Sequence, residues 1–334
     1  MNLPPEEHYD LTLNENPYPV SGPIAEGLAE VVSTGNRYPD EFSANVAEAL
    51  SAALQVPKDN VMVGAGASGV LLAALMAFCS VGDEVVYGWR SFHLYPVFVR
   101  MVRASAVEVS LDHEGRHDLD AMLAAVTGRT RVVILCNPNN PTGPGISVAA
   151  LIRFLRLLPS RVIVILDEAY HEFVRDGTVA DGILIYPRYR NLVVIRTFSK
   201  AYGLAGFRIG YGVSSTGLVR EIESRSAPYA VPSLGQAAAV AALSEPEVVR
   251  ERVEQLVHER ARIREALVAD GWPVPDAQGN FLWLSVGRRA DSVGEALLRA
   301  GIRARVFPGE GVRIAVGQPN ANEALLVALA AFQG

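Results

Sequence analysis

Three stretches of this 334-residue chain hold residue types that do chemistry, and each follows an apolar run. Residues 136–143 read Cys-Asn-Pro-Asn-Asn-Pro-Thr-Gly, a turn stiffened by two prolines, in which Asn140 offers a fixed donor and acceptor. Read alone, Asn140 equally suits a plain Asn-Pro loop. Residues 166–170 read Leu-Asp-Glu-Ala-Tyr. Asp167 ends an apolar run, where a lone carboxylate is costly and demands a cation or a donor, although a helix cap is an alternative use. Tyr170, three residues on, can aim its hydroxyl into the same space. Residues 197–210 run from Thr197 through Ser199 and Lys200 to Arg208 and Gly210, with few other charges. Burial among small and apolar neighbours lowers a lysine's pKa and makes it a nucleophile and base. A serine hydroxyl and an arginine guanidinium beside it suit a phosphate.

Together these are the parts needed to hold pyridoxal phosphate. Lys200 forms the Schiff base, and Asp167 keeps the pyridine nitrogen protonated so that the ring acts as an electron sink. Asn140 and Tyr170 bind the phenolate oxygen. Ser199 and Arg208 hold the phosphate, and Thr197 is a further cofactor-binding residue.

The elements that must position these residues follow from the apolar pattern. The runs 131–136, 162–166 and 191–196 are short and β-branched, as fully buried parallel strands are. Helical segments are expected at 43–54, 68–79, 95–103, 118–126 (with Asp118 as N-cap) and 148–158, with further strands at 60–63 and 84–87. Alternating strands and helices predict an α/β protein with a mostly parallel sheet, whose ligands lie beyond the carboxyl ends of the strands. Prolines at 4, 5, 17, 19 and 23 predict an extended arm over residues 1–25. The pattern then predicts a large domain over 26–245 and a small α+β domain over 246–334. The latter has a helix to 270, strands at 280–286 and 312–316, and helices at 292–300 and 321–332. The mixed charges of the 246–270 helix, Arg260 among them, read as a solvated face.

Composition narrows the classes. Half of the residues are hydrophobic, a fifth are charged, and the net charge is −6, which argues against a nucleic-acid groove. The acidic, polar start is unlike a secretory signal, and no uncharged apolar stretch reaches the ~18 residues of a membrane span. Two cysteines, Cys79 and Cys136, lie in apolar runs and fit a reducing cytoplasm. The histidines show no metal-ligand spacing, and Glu168 reads as structural. Gly64, Gly66 and Gly69 spell a dinucleotide-type G-x-G-x-x-G, with Asp83 nineteen residues after the first. A helix N-terminus binds phosphate whichever cofactor carries it.

The sequence resembles the histidinol-phosphate aminotransferase family of fold type I, in particular its actinobacterial aromatic (phenylalanine) branch. The resemblance spans nearly the whole chain through LNENPYP (13–19), NRYPD (36–40), GDEVVYGWRSFHLYP (82–96), CNPNNPTG (136–143), LDEAY (166–170), RTFSKAYGLAGFRIGY (196–211), NFLWL (280–284) and VRIAVG (312–317). It implies a pyridoxal phosphate-dependent transferase fold and a cytoplasmic aminotransferase acting on an aromatic amino acid or histidinol phosphate with a 2-oxo acid such as 2-oxoglutarate. By the same resemblance, the amides of Ala67 and Ser68 hold the cofactor phosphate and Phe92 stacks on the ring. Tyr38 reaches the phosphate of a neighbouring subunit, which implies a homodimer with shared sites. Arg313 clamps the substrate α-carboxylate, and Arg305 and Tyr18 border the substrate's side-chain end. Ser68-Gly69 departs from the Asp-Glu pair of many histidinol-phosphate enzymes. A decarboxylase of the threonine-phosphate type on the same scaffold is the alternative activity; a nicotinamide dehydrogenase and a cofactor-binding regulator are further alternatives.

Overall fold

The computed structural model describes residues 8–333, so the first seven residues of the expected arm lie outside the described residues. The strands in chain order are β1 (Tyr9–Asp10), β2 (Val61–Gly64), β3 (Glu84–Trp89), β4 (Ser105–Ser110), β5 (Thr130–Cys136), β6 (Ile163–Asp167), β7 (Leu192–Thr197), β8 (Gly210–Val213), β9 (Phe281–Leu284), β10 (Ile302–Arg303), β11 (Arg305–Phe307) and β12 (Gly311–Ala315). Seven form one sheet in the order β2-β8-β7-β6-β5-β3-β4, in which only β8 runs against its neighbours. The chain is thus α/β with a mostly parallel central sheet.

The β-branched runs become central strands because both of their faces are covered. Val133, Leu135, Val164, Leu166 and Val194 enter one hydrophobic core. Their neighbours Val132, Ile134, Ile165, Val193 and Ile195 enter the core on the opposite face. That alternation is the two-residue period of a strand read by two layers of helices. Each such side chain contributes about 1.5–3 kcal/mol on burial.

A second sheet, β11-β12-β9, is antiparallel. Its core draws on the helices Pro246–Ala269, Ala290–Arg299 and Pro319–Gln333 and also takes in Leu11, Tyr170, Phe173 and Ala201. β1 pairs with β10 in a separate two-stranded sheet, and the Leu11 carbonyl accepts from the Ala315 amide of β12, so residues 9–11 are tied to this smaller layer.

Two expectations are corrected. The arm stops short of residue 25, because a helix spans Gly22–Ser33 with Pro23 in its first turn, where a missing N–H costs nothing. Its apolar residues are spaced for a helix, but the proline cluster obscured them. Arg260 does not sit on a solvated face. It is 6% exposed and its Nη1 donates to the carbonyls of Phe173 and Gly279, so the helix turns this cation inward to satisfy loop carbonyls. β4, β8, β10 and β11 and the helices Thr216–Glu223 and Ser233–Ser244 were not anticipated. Asp118 does cap its helix, accepting from the Ala121 amide.

Candidate active site

The parallel register sets the site. Cys136 pairs with Asp167, and Asp167 with Ile195, so β5 and β6 end level and β7 runs two residues further at the same edge. The loops carrying Asn140, Tyr170 and Lys200 leave from that edge together. β3 runs parallel beside β5 and delivers Phe92 and Tyr95 to the same edge.

Asp167 is 7% exposed. Its Oδ2 accepts from the Tyr95 hydroxyl at 2.7 Å and its Oδ1 from the Ala169 amide at 3.3 Å. Burial raises its pKa, and the Tyr95 hydrogen bond opposes that rise. Tyr95 is fully buried and stacks edge-on with Phe92 at 5.6 Å. The Tyr170 hydroxyl accepts from Asn140 Nδ2 at 3.2 Å and from Asn14 Nδ2 at 3.0 Å. Burial pushes this phenol up to about 12, against the pull of Arg313 and Asn14. Lys200 Nζ donates to the Leu13 carbonyl at 2.9 Å. Burial lowers its pKa to about 8, reinforced by Arg313 and countered by Glu15.

Below these groups lies a cradle. The helix Gly66–Phe78 opens with no acid in its first turn, so its positive end is uncompensated. Gly66 has φ +73°, and a Cβ there would stand 2.6 Å from Arg208 Nη2. A Cβ at Gly210 would strike the Ala67 amide. The two glycines therefore let the amides of Ala67 and Ser68 and the Arg208 guanidinium close around a small volume. The Thr197 and Ser199 hydroxyls are 3.0 Å apart. Amides, hydroxyls and a guanidinium are the donors a phosphate takes, and the lysine and buried carboxylate lie above them. The residues fit pyridoxal phosphate.

Arg313 is 6% exposed, and its Nη1 donates to Asn140 Oδ1 at 2.6 Å. Its Nη2 donates to the Thr12 carbonyl, while its Nε is buried without a partner among the described residues. Arg305 faces Arg313 directly across β11 and β12, so the two cations share a face with Trp283 of β9. Arg305 itself is exposed. The two remaining expected residues, Tyr18 and Tyr38, the latter expected in a neighbouring subunit's site, make no hydrogen bond to the groups above among the described residues. Tyr18 packs on the smaller core, where burial and Glu259 raise its pKa against Arg252. Tyr38 stands 85% exposed against Tyr229, at 5.2 Å between rings.

Sequence reasoning missed Tyr95, Asn14 and Arg196. Tyr95 lies three residues after Phe92 in the SFHLYP stretch, and a wholly buried tyrosine needs a polar partner. Asn14 lies in the LNENPYP stretch with φ 52°, a conformation asparagine tolerates. Arg196 pairs with buried Glu168 at 2.8 Å and with Asp181 at 2.6 Å, which supports the structural reading of Glu168. Glu168, His171 and Asp181 bring their ligand atoms within 4.8 Å of one another, which their spacing does not show, but the Arg196 guanidinium supplies the positive charge there.

A parallel sheet that brings a lysine, a buried carboxylate and a phosphate cradle to one edge defines a pyridoxal phosphate enzyme of fold type I. The aminotransferase class I and II family model matches residues 8–329, and the chain belongs to that family. It is 44% identical over 318 residues to the aromatic amino acid aminotransferase of Streptomyces avermitilis, covering 95% of this chain and 89% of that one. The aromatic amino acid aminotransferase of Thermobifida fusca is also 44% identical, over 95% of this chain and 88% of its own. Among solved structures, histidinol-phosphate aminotransferase from Sinorhizobium meliloti in complex with pyridoxal 5'-phosphate superposes with a TM-score of 0.89 at 26% identity, over 97% of this chain and 90% of that one. This chain is an aminotransferase that uses pyridoxal phosphate.

Proposed function

We propose that the chain transfers the amino group of an aromatic amino acid to a 2-oxo acid such as 2-oxoglutarate. The observation that carries this reading is buried Arg313, with a free Nε, beside Lys200 and among the rings of Phe281 and Trp283. A buried guanidinium with an unused donor calls for a planar carboxylate, and the rings call for an apolar side chain. The names of the 44% identical relatives support the same substrate class.

Pyridoxal phosphate, when bound, supplies an electron sink for the carbanion at the substrate α-carbon. Lys200 would anchor the cofactor, and its Nζ would then carry the proton between the substrate α-carbon and the cofactor carbon as general base and acid. A pKa near 8 leaves about a tenth of this amine free at pH 7, several hundredfold more than a solvated lysine would offer. Asp167 holds a proton on the ring nitrogen, and Tyr95 keeps the Asp167 carboxylate ionised and aimed. Tyr170 and Asn140 bind the phenolate oxygen. The amides of Ala67 and Ser68, the hydroxyls of Thr197 and Ser199, and Arg208 hold the phosphate. Phe92 stacks on the ring, and Arg313 fixes the α-carboxylate. Exposed Tyr38 serves the site of a second subunit in a homodimer, and free Cys79 and Cys136 suit a cytoplasmic enzyme.

Arg305, beside Arg313, favours histidinol phosphate as a second reading, because two cations on one face can take a phosphate end. A single-turnover experiment decides. The holoenzyme is mixed separately with phenylalanine, histidinol phosphate and glutamate, and the cofactor absorbance and released oxo acid are followed. Bleaching by phenylalanine with stoichiometric phenylpyruvate supports the aromatic reading. Bleaching by histidinol phosphate and glutamate alone overturns it.

A further inference from the structure

A cavity of about 660 Å³ lies away from the active site, between the helices Ala44–Leu54 and Ser233–Ser244, the start of the helix Pro246–Ala269, and the loop after His171. Its walls are mostly apolar, with Leu54, Leu243, Val249 and Val253, and also carry Arg175, Arg250 and Asp176, whose carboxylate accepts from the Thr178 amide. Two polar side chains line it without a protein partner. The Glu172 carboxylate has no ion pair or hydrogen bond among the described residues beyond its own backbone amide. The Tyr202 hydroxyl has no hydrogen-bond partner among them. A concave apolar volume with a few convergent polar groups is the form of a small-molecule site.

The surrounding charges say which sign the ligand carries. Every arginine near Glu172 is already committed. Arg196 is held by Glu168 and Asp181. Arg175 is held by Glu254 and by the carbonyls of Glu172 and Val174. Arg250 is paired with Glu247. His171, beside Asp181, is kept neutral, its pKa lowered to about 4 by burial and by Arg196. Glu172 is therefore an acid in apolar surroundings with no cation of its own, and burial pushes its pKa up to about 7 despite Arg196. An incoming ammonium group would meet an uncompensated carboxylate. An incoming carboxylate would meet repulsion.

We propose that this cavity is a second binding site, for a small apolar amine. The ammonium group sits on the Glu172 carboxylate and the Tyr202 hydroxyl, and the hydrocarbon body fills the apolar walls. Both polar groups lie close in sequence to residues of the first site. Glu172 is two residues from Tyr170, and Tyr202 is two residues from Lys200.

The probe is N,N-dimethyl-2-phenylethylamine, a tertiary amine that cannot condense with an aldehyde or be transaminated. Calorimetric titration of the holoenzyme is expected to show one saturable site. Its affinity falls about tenfold from pH 8 to pH 6 as Glu172, with its pKa near 7, takes up a proton. Glu172→Gln weakens binding at pH 8 by about tenfold or more and removes the pH dependence. Ala53→Phe, at an exposed helical position on the cavity wall, weakens binding similarly by filling the space. 3-Phenylpropionate, the anionic counterpart, leaves the titration unchanged. The proposal is overturned by any of three results: no saturation up to about 10 mM, undiminished affinity in Ala53→Phe, or displacement of the probe by 3-phenylpropionate, which would place it beside Arg313 instead.

Discussion

Burial acts on Lys200 and Asp167 in opposite directions, and the neighbours of each decide the outcome. The lysine loses hydration and faces Arg313, so its ammonium form is disfavoured and its pKa falls to about 8. Its free-amine fraction therefore grows as pH rises through 8, well below the usual lysine range. In the apoprotein, trinitrophenylation of Lys200, read by peptide mass, should titrate with a midpoint near pH 8; a midpoint near 10.5 would show an ordinary solvated amine. Asp167 loses hydration too, which raises its pKa, while the Tyr95 hydroxyl lowers it. Tyr95→Phe removes that lowering contribution, so the Asp167 pKa rises. The acidic limb of the kcat profile should move to higher pH, with kcat at pH 7 reduced about tenfold or more, in line with the weight of a charge-assisted hydrogen bond. An unchanged limb would deny Tyr95 its positioning role.

The helix Gly66–Phe78 shows how an element makes a binding surface from backbone. The glycine motif at its start was visible in the sequence, and its spacing alone suits a dinucleotide as well as a phosphate. The fold resolves this, because the cradle is closed by Arg208, more than a hundred residues away. Gly66→Ala places a Cβ against Arg208 in a left-handed conformation that costs a non-glycine residue about 1–2 kcal/mol. It should raise the cofactor dissociation constant about tenfold or more, measured by release of cofactor absorbance on dilution, with far-UV circular dichroism unchanged. The long helix Pro246–Ala269 teaches the converse. Its alternating charges predicted a solvated face, yet Arg260 turns inward because two loop carbonyls need a donor, a demand that no local pattern carries.

At the scale of the molecule, residues 9–11 are tied to β10 and β12, and the chain then crosses the site. Thr12 and Leu13 offer carbonyls to Arg313 and Lys200, and Asn14 reaches Tyr170. Tyr38 faces outward instead, beside Tyr229 and near exposed Phe42. If Tyr38 works in a second subunit's site, hybrids pairing a Lys200→Ala chain with a Tyr38→Ala chain should regain one fully native site. Activity per hybrid should approach half that of the wild-type dimer, measured after mixed refolding and tag separation. Hybrids no more active than the mean of the two parent variants would place Tyr38 in its own chain's site or in none.

The order of short β-branched runs, each ended by a polar cluster, was enough to specify the α/β class, the central parallel strands and the loops with Asn140, Asp167, Tyr170, Ser199 and Lys200. Local physics determines these features, because a doubly buried strand must be apolar and its carboxyl end must be the place where polar residues resume. Contacts between distant segments were decided only by the fold. They include the Tyr95 hydroxyl on Asp167, Asn14 on Tyr170 and Arg196 beneath Glu168. Each joins side chains whose separation along the chain carries no information about their separation in space. Each is selected by the cost of leaving a buried polar group without a partner.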